Sequence, residues 1–442
     1  MIDKIKKQLM LMDYKLIVTL LVVGFVPTIY TTIRVFFLGQ FPSDYSFSIA
    51  GQLSWVSLLY EIINESIILP LFYFVGKAVN DKTKLSNCFV SGMTVTFIIH
   101  LLLSLLIIIF AIPVLNFMAV DKSILMQSAV YIRMESIALI FSALVSFVTV
   151  VFVTLNKVKY MYVLTFVRLA LCVVSDVLLV SSMPCSMKLG VNGIALSNIF
   201  VNVVLLFISL VVLFKKCDFT LVKVNLSFSW MKEFLRIGSV SGFESFVRNI
   251  AYIMMISRMV NVVNEQGTYW VANNFIWCWL LLPVTQLGEY IKKDVATDKD
   301  AVRNKSLGYF AITSVICIAW FVTIPLWKPF MSNVLLFENV DKLYILVLIL
   351  VGFYVLYAFQ NVFDATFYGL GKTNYMLFES VVTNCVYYGV AFVLYMSGAW
   401  TPTLYGIALL FGGGMAFDSV VSFAVYVYLL KKIKGEPLYG KI

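Results

Sequence analysis

The chain has 442 residues, 61% of them apolar and only 13% charged, with a mean hydropathy of +0.95. A soluble domain carries about 25% charged residues, so this composition excludes a globular soluble protein. The net charge of +10 would suit nucleic acid, but the distribution of the basic residues points to a membrane instead.

A membrane-spanning helix needs about 20 mostly apolar residues, each rising about 1.5 Å. Twelve such stretches follow one another, at 16–39, 50–76, 90–112, 126–154, 160–182, 190–214, 238–262, 268–290, 306–327, 342–369, 375–397 and 402–430. No run alternates apolar and polar residues as a barrel strand would, and lipid-exposed helices satisfy their own backbone. The basic, then apolar, start imitates a signal peptide. It lacks a small-residue cleavage site and is long enough to span, so it reads as span one, with residues 1–12 as a short interfacial helix.

An ionisable side chain at mid-membrane costs at least ~2.5–3.5 kcal/mol, so each one needs a reason. In span one, Tyr30 and Arg34 share a face with Pro27, which bends or frees the helix there. Span two carries Glu61, Asn64 and Glu65, with Arg34 the nearest partner in sequence. That set is either a neutralised structural knot or part of a ligand path. His100 sits in an apolar run as a satisfied packing residue, and Arg133/Glu135 and Arg168/Asp176 are expected to snorkel or pair near helix ends.

The longest polar stretch, 215–237, reads as a cytoplasmic connector that is partly an amphipathic helix on the headgroups. Span seven then places Glu244 and Arg248 four residues apart on one face. They form either a structural ion pair or part of a coupling site. Span eight holds Asn273, Asn274, Trp277 and Trp279, which either line an amphipathic cavity or pack against lipid, followed by Pro283. Span ten presents Tyr357, Gln360, Asn361 and Asp364 on one face, an oxygen set suited to Na⁺ or to a proton. Glu379 lies in span eleven. In span twelve Asp418 follows Gly412-Gly413-Gly414, which permit close helix approach and bending. Trp55, Trp270, Trp327 and Trp400 fall near span ends as interfacial anchors.

The basic residues cluster in alternate loops: Lys4/Lys6/Lys7/Lys15, Lys77/Lys82/Lys84, Lys215/Lys216/Lys223/Lys232/Arg236, Lys292/Lys293/Lys299/Arg303/Lys305 and Lys431/Lys432/Lys434/Lys441. That asymmetry places both termini in the cytoplasm. The seven cysteines show no CxxC and no metal spacing.

The second half repeats the first at an offset of about 212–215 residues. Ile112-Pro113 with Phe117-Met118 returns as Ile324-Pro325 with Phe330-Met331. Leu155-Asn156-Lys157 returns as Leu370-Gly371-Lys372, and Gly193-Ile194-Ala195-Leu196 as Gly406-Ile407-Ala408-Leu409. Trp55 matches Trp270, and Leu69-Pro70 matches Leu282-Pro283. An even number of spans per repeat gives both halves the same orientation. The expected fold is therefore an all-α polytopic membrane protein of 12 transmembrane helices. Residues 1–214 form an N-lobe and 238–442 a C-lobe, related by a pseudo-twofold axis along the membrane normal.

Several segments look like parts of a known family: Pro27–Gly39 like its first helix, Tyr131-Ile132-Arg133 like the opening of its fourth, Ser175–Leu179 with Leu189–Ala195 like its fifth-to-sixth hairpin, and Trp270–Gly288 like its eighth. In these the chain resembles the multidrug and toxic-compound extrusion (MATE) family, within a superfamily that also holds polysaccharide and lipid flippases. The resemblance implies secondary active export of amphipathic, often cationic, organic compounds in exchange for H⁺ or Na⁺, by alternating access. It implies a C-lobe cation site on spans seven and ten, which places Glu244, Asp364, Asn361 and Gln360 in coupling. Glu244 matches its position well, whereas Asp364 stands about two turns along the helix. Many prokaryotic members place an aspartate in span one where this chain has Arg34, which removes that proton site unless Glu61 or Glu65 replaces it; the expectation is coupling in the C-lobe and an anionic or zwitterionic substrate.

The substrate path expected is Arg34, Tyr30, Glu61, Glu65, Asn273, Trp277 and Tyr357, with hinges at Pro27, Pro283 and Gly413. No cofactor is expected beyond the coupling ion, and no metal beyond Na⁺ at Glu244 and Asp364. The expected partners are a small amphipathic organic substrate and the bilayer, with no nucleic acid, for a monomer in the plasma (inner) membrane. A lipid-linked saccharide flippase is the alternative, its diphosphate held by Arg34, Arg168 and Arg248. With one histidine and no HExxH, GxSxG or P-loop, an enzyme is not expected. A passive channel suits repeated lobes with buried carboxylates less well than a carrier.

Overall fold

In a computed structural model that describes residues 2–41, 45–217, 219–222, 228 and 230–435, the described residues form helices and no strand. Lys223, Lys441 and part of the connector 215–237 lie outside the described residues. A short amphipathic α1 (Ile2–Met10) precedes α2 (Tyr14–Gly39). Helix α3 (Tyr45–Gly51) leads into α4 (Leu53–Ala78), followed by α5 (Lys82–Phe117), α6 (Leu125–Thr154), α7 (Val158–Leu179) and α8 (Gly190–Lys216). Helix α9 (Met231–Ala251) passes through a π-turn, Tyr252–Ser257, into α10 (Arg258–Val262). Helix α11 (Gln266–Phe275) passes through a second, Ile276–Leu280, into α12 (Leu282–Thr297). The short α13 (Ala301–Asn304) is followed by α14 (Ser306–Asn333) and α15 (Val340–Gly369). Next, α16 (Thr373–Val382), a third π-turn at Thr383–Tyr388 and α17 (Gly389–Met396) form one rod, followed by α18 (Leu404–Gly435).

Ten of the twelve expected spans are helices long and apolar enough to cross a membrane. The stretches expected at 238–262 and 268–290 are helical but fall outside that set. Each is interrupted by a π-turn, and α9 and α12 carry Glu233, Arg236, Glu244, Arg248, Glu289, Lys292 and Asp294.

The internal repeat has a backbone counterpart. Asn156 and its repeat partner Gly371 both take the left-handed conformation, at φ 55° and 67°. Around them the hydrogen bonds recur: Lys157 N–H to Phe152 O at 2.8 Å matches Lys372 N–H to Phe367 O at 2.8 Å. Tyr160 N–H to Lys157 O and Tyr375 N–H to Lys372 O are both 3.0 Å. Asparagine and glycine are the residues that enter this region at least cost, so two different residues build one turn.

The proline after the second π-turn explains part of that turn. Pro283 has no N–H to return to the preceding helix, and Leu281 bonds back five residues to Ile276 O at 2.8 Å. Two carbonyls of this turn take side-chain donors instead: Thr28 Oγ1–H on Cys278 O and Trp320 Nε1–H on Leu280 O, both at 2.9 Å. Backbone groups freed at membrane depth are retained because such side chains satisfy them.

Repeat and packing divide the chain at different places. The repeat places its boundary at 215–237, whereas the compact units are Met1–Thr31 with Val271–Ile442, and Thr32–Trp270. In the first unit Tyr290, Ile291, Tyr309, Val362 and Ala365 form a core, and the Gln8 side chain of α1 accepts from Gly308 N–H at 3.2 Å. In the second, the hydroxyls of Tyr60 and Ser104 bond at 2.6 Å, and Ser104 donates to Ser136 O at 2.9 Å. Phe89 stacks on Phe147 at 5.8 Å.

Candidate functional site

Within Thr32–Trp270, Arg34 on α2 and Asp176 on α7 form a buried ion pair, Nε to Oδ2 2.6 Å, with side chains 13% and 1% exposed. Arg34 is therefore not the partner of Glu61 and Glu65 that proximity in sequence suggested. That partner is Arg248 on α9, whose Nη2 lies 2.7 Å from Glu65 and 3.5 Å from Glu61, both on α4. Its Nη1 reaches Glu244 at 3.1 Å. Packing of α9 along α4 brings the two together, a proximity that spacing along the chain does not encode. Three carboxylates thus share one guanidinium, and Glu61 remains 46% exposed.

Asp176 and Glu135 do not snorkel. Both are buried, and Glu135 accepts from Asn198 Nδ2 at 2.7 Å. Arg168 donates to Asn202 Oδ1 at 3.3 Å, and Arg133 to Ile108 O at 3.0 Å, each using a neutral partner on a neighbouring helix. His100 is a satisfied packing residue, Nδ1 2.8 Å from Thr96 O and Nε2 3.0 Å from Asn64 Oδ1. Two expected anchors are also buried: the indole of Trp55 donates to Gln52 Oε1 and that of Trp327 to Thr323 Oγ1, both at 3.1 Å. Their N–H groups have protein partners within the same helical rod, which frees them from the interface.

Within Met1–Thr31 and Val271–Ile442, α15 presents Gln360 and, one turn on, Asp364. Gln360 Nε2 donates to Asp418 Oδ2 on α18 at 2.6 Å. Thr383, the first residue of the third π-turn, donates to Asp418 Oδ1 at 2.7 Å. Ser419 Oγ–H donates to Gln360 Oε1 at 2.8 Å. Glu379 lies one turn before Thr383, is 3% exposed, and has the Ser422 hydroxyl beside it. Asn361 points elsewhere, donating to Val284 O on α12 at 2.9 Å where Gly288 leaves it room.

Of the expected coupling set, Gln360 and Asp364 thus join a group that includes Asp418. Asn361 is a packing contact, and Glu244 belongs to the other unit. Among the path residues, Trp277 is 43% exposed and meets Tyr357 edge-on at 5.7 Å, while Tyr30 and Asn273 lie on α2 and α11. Gly412, Gly413 and Gly414 hold α18 against the rings of Phe353, Tyr387 and Tyr388, places where any Cβ would collide. The sequence named Glu379 and Asp418 as intramembrane charges but did not join them to Asp364. The regular spacing Gln360/Asp364 and Glu379/Thr383 was the signal available.

No protein-family model matches the sequence, and no curated protein is similar to it. Solved structures are. Over 92% of this chain and 95% of the other, it superposes with a TM-score of 0.80 and 16% identity on an inward-facing multidrug resistance MATE family transporter of the MOP superfamily. An outward-facing structure of such a transporter gives 0.66 at 18% identity, and a MATE in complex with MaD3S gives 0.68 at 18%, each over 97% of this chain and 99% of the other. The fold is that of the MATE transporters, an all-α polytopic membrane fold of twelve helices in two lobes.

Proposed function

We propose that this protein is a secondary active transporter that exports amphipathic organic compounds in exchange for H⁺ or Na⁺ by alternating access. It works in the plasma (inner) membrane with both termini cytoplasmic. The observation that carries the reading is the likeness over nearly the whole chain to MATE structures whose own descriptions name both inward-facing and outward-facing conformations. Intramembrane carboxylates supply groups that can exchange a small cation, and the aromatic wall of Trp277 and Tyr357 supplies a flat amphipathic surface.

The pairing of the arginines bears on substrate charge. Arg34 is neutralised by Asp176, and Arg248 is outnumbered by Glu61, Glu65 and Glu244. This weakens the case for an anionic substrate and for a diphosphate held by these arginines.

The test is flux of a fluorescent amphipathic cation in liposomes holding the purified protein, with pH and Na⁺ gradients imposed separately. Gradient-driven flux that is lost in Glu244→Gln and Asp364→Asn supports coupled export and names the ion. No flux under either gradient, for cationic and anionic probes alike, sinks the reading.

A further inference from the structure

We propose that the groove between α16 and α18 binds one anionic phospholipid of the surrounding bilayer. An acyl chain lies along the groove, and the headgroup phosphate sits among Lys372, Lys431 and Lys432. The site does not involve the coupling carboxylates and stands whatever compound is carried.

The groove has a volume of about 490 Å³ and is lined by Asn374, Tyr375 and Phe378 of α16 and by Ala424, Val425 and Tyr428 of α18. Each helix contributes residues at i, i+1 and i+4, which lie on one helical face. Ala424 opens the space, because its methyl is the smallest of the six side chains. Tyr375 is held as a fixed wall by edge-on packing against Phe367 at 5.6 Å. Phe378 and Tyr428 are 55% and 58% exposed, so no other part of the chain covers them. The apolar surface continues towards the middle of both helices through Val381, Val420 and Phe423, all exposed. That path is apolar in the way a lipid chain requires, and its polar atoms are confined to one end.

The polar end lies at a membrane face. Thr373–Met396 and Leu404–Lys432 are consecutive candidate spans. Consecutive spans cross in opposite directions, so the first turn of α16 and the last turn of α18 meet at the same face. Asn374, Tyr375 and Tyr428 belong to those turns, and tyrosines are favoured at headgroup depth, where the ring is in hydrocarbon and the hydroxyl is wet. Lys372 precedes Tyr375 by one turn, and Lys431 and Lys432 follow Tyr428 by one turn. All three lysines are exposed, and no ion pair among the described residues includes any of them. Glu379 of α16 is buried, and Asp418 of α18 is turned inward onto Gln360 and Thr383. Neither carboxylate competes for the ammonium groups.

Charge decides which lipid fits. Three cations at the mouth of an apolar groove between spans match an anionic phosphodiester, the pattern by which such pockets select acidic headgroups. A zwitterionic headgroup brings its own ammonium against the lysines and loses that advantage.

Native mass spectrometry of the full chain in detergent, titrated with phosphatidylglycerol or with phosphatidylcholine of the same chains, counts the lipids bound. We expect one phosphatidylglycerol to bind ahead of any phosphatidylcholine. A lysine beside an anionic headgroup strengthens binding by about fivefold, so Lys372→Gln should weaken it by that factor. Adding Lys431→Gln and Lys432→Gln should bring the loss to about 100-fold, with phosphatidylcholine unaffected. Ala424→Phe fills the groove without removing a charge and should abolish the tight site. Ala424 is exposed, and unchanged thermal unfolding verifies the fold of each variant. Equal binding of the two lipids overturns the site. So does tight phosphatidylglycerol binding that survives Ala424→Phe, because the lysines alone would then be collecting headgroups. Dimers in place of lipid-bound monomers overturn it as well and assign the groove to a second copy of the chain.

Discussion

Arg34 meets Asp176, and Arg248 meets three glutamates, whereas Asp364, Glu379 and Asp418 meet amides and hydroxyls. The first arrangement, in Thr32–Trp270, sets a guanidinium against each group of carboxylates. The opposite charge is covalently present, so binding a small cation there must compete with a guanidinium. The second, in the unit of Met1–Thr31 and Val271–Ile442, supplies orientation without neutralisation. The two regions thus differ in whether a fixed cation faces the carboxylates: arginines hold the first set, and no ion pair among the described residues includes Asp364, Glu379 or Asp418.

The largest effect should come from breaking the most buried pair. Arg34→Met leaves Asp176 ionised in apolar surroundings and should destabilise by about 3–5 kcal/mol, read by thermal unfolding in detergent. Adding Asp176→Leu should restore most of that loss. A double variant as unstable as the single would show that Arg34 acts through packing rather than charge.

Arg248→Met should cost less, about 1–2 kcal/mol, because its partners are partly solvated and screened. The same unfolding measurement checks it. A loss as large as that of Arg34→Met would blur the contrast between a buried and a wet ion pair.

Gly413→Ala tests the close approach of α18. Its methyl group would meet the Tyr387 hydroxyl, and overpacking of this kind costs about 1–3 kcal/mol. Unchanged stability would mean that Tyr387 swings aside freely.

The smallest effect is local. Gly371→Ala places a Cβ in the left-handed region and should cost about 1–2 kcal/mol, while Asn156→Gly at the repeat-equivalent turn should change stability by a few tenths. Equal losses at both sites would contradict a shared turn geometry.

Much of this architecture was legible in the sequence because apolar length reports spans directly. Ten of the twelve stretches fall on helices long and apolar enough to span, the other two are helical with breaks, and the Asn156/Gly371 repeat match became one backbone turn. The π-turns were not legible. An extra residue in a helical turn leaves no compositional trace, and only Pro283 beside Ile276–Leu280 hinted at one. Pairing was legible within a helix and not between helices. Glu244 with Arg248 follows from i,i+4 spacing, but the choice of Arg248 over Arg34 for Glu65 depends on how α9 packs on α4. Trp55 and Trp327 misled for a related reason, since proximity to a span end says nothing about whether a protein partner waits for the indole.

Before the first turn of α5 one carboxylate is tuned by backbone donors. Asp81 caps α5, accepting the N–H groups of Lys84 and Thr83, which hold its carboxyl below the usual carboxylate range. Its contribution to α5 is present above the ordinary carboxylate pKa and is lost as pH falls through the lowered value. Acid-induced fraying at Lys82–Leu85, followed by hydrogen exchange, should disappear in Asp81→Ala, which is frayed at every pH.

The most direct measurement is efflux of a fluorescent amphipathic cation from liposomes under an imposed pH gradient, wild type beside Asp364→Asn. Gradient-driven efflux in the wild type that falls in the variant to the level of protein-free liposomes is the result predicted. Efflux driven equally well in both would contradict the account, because the coupling charge would then lie outside the arginine-free carboxylates.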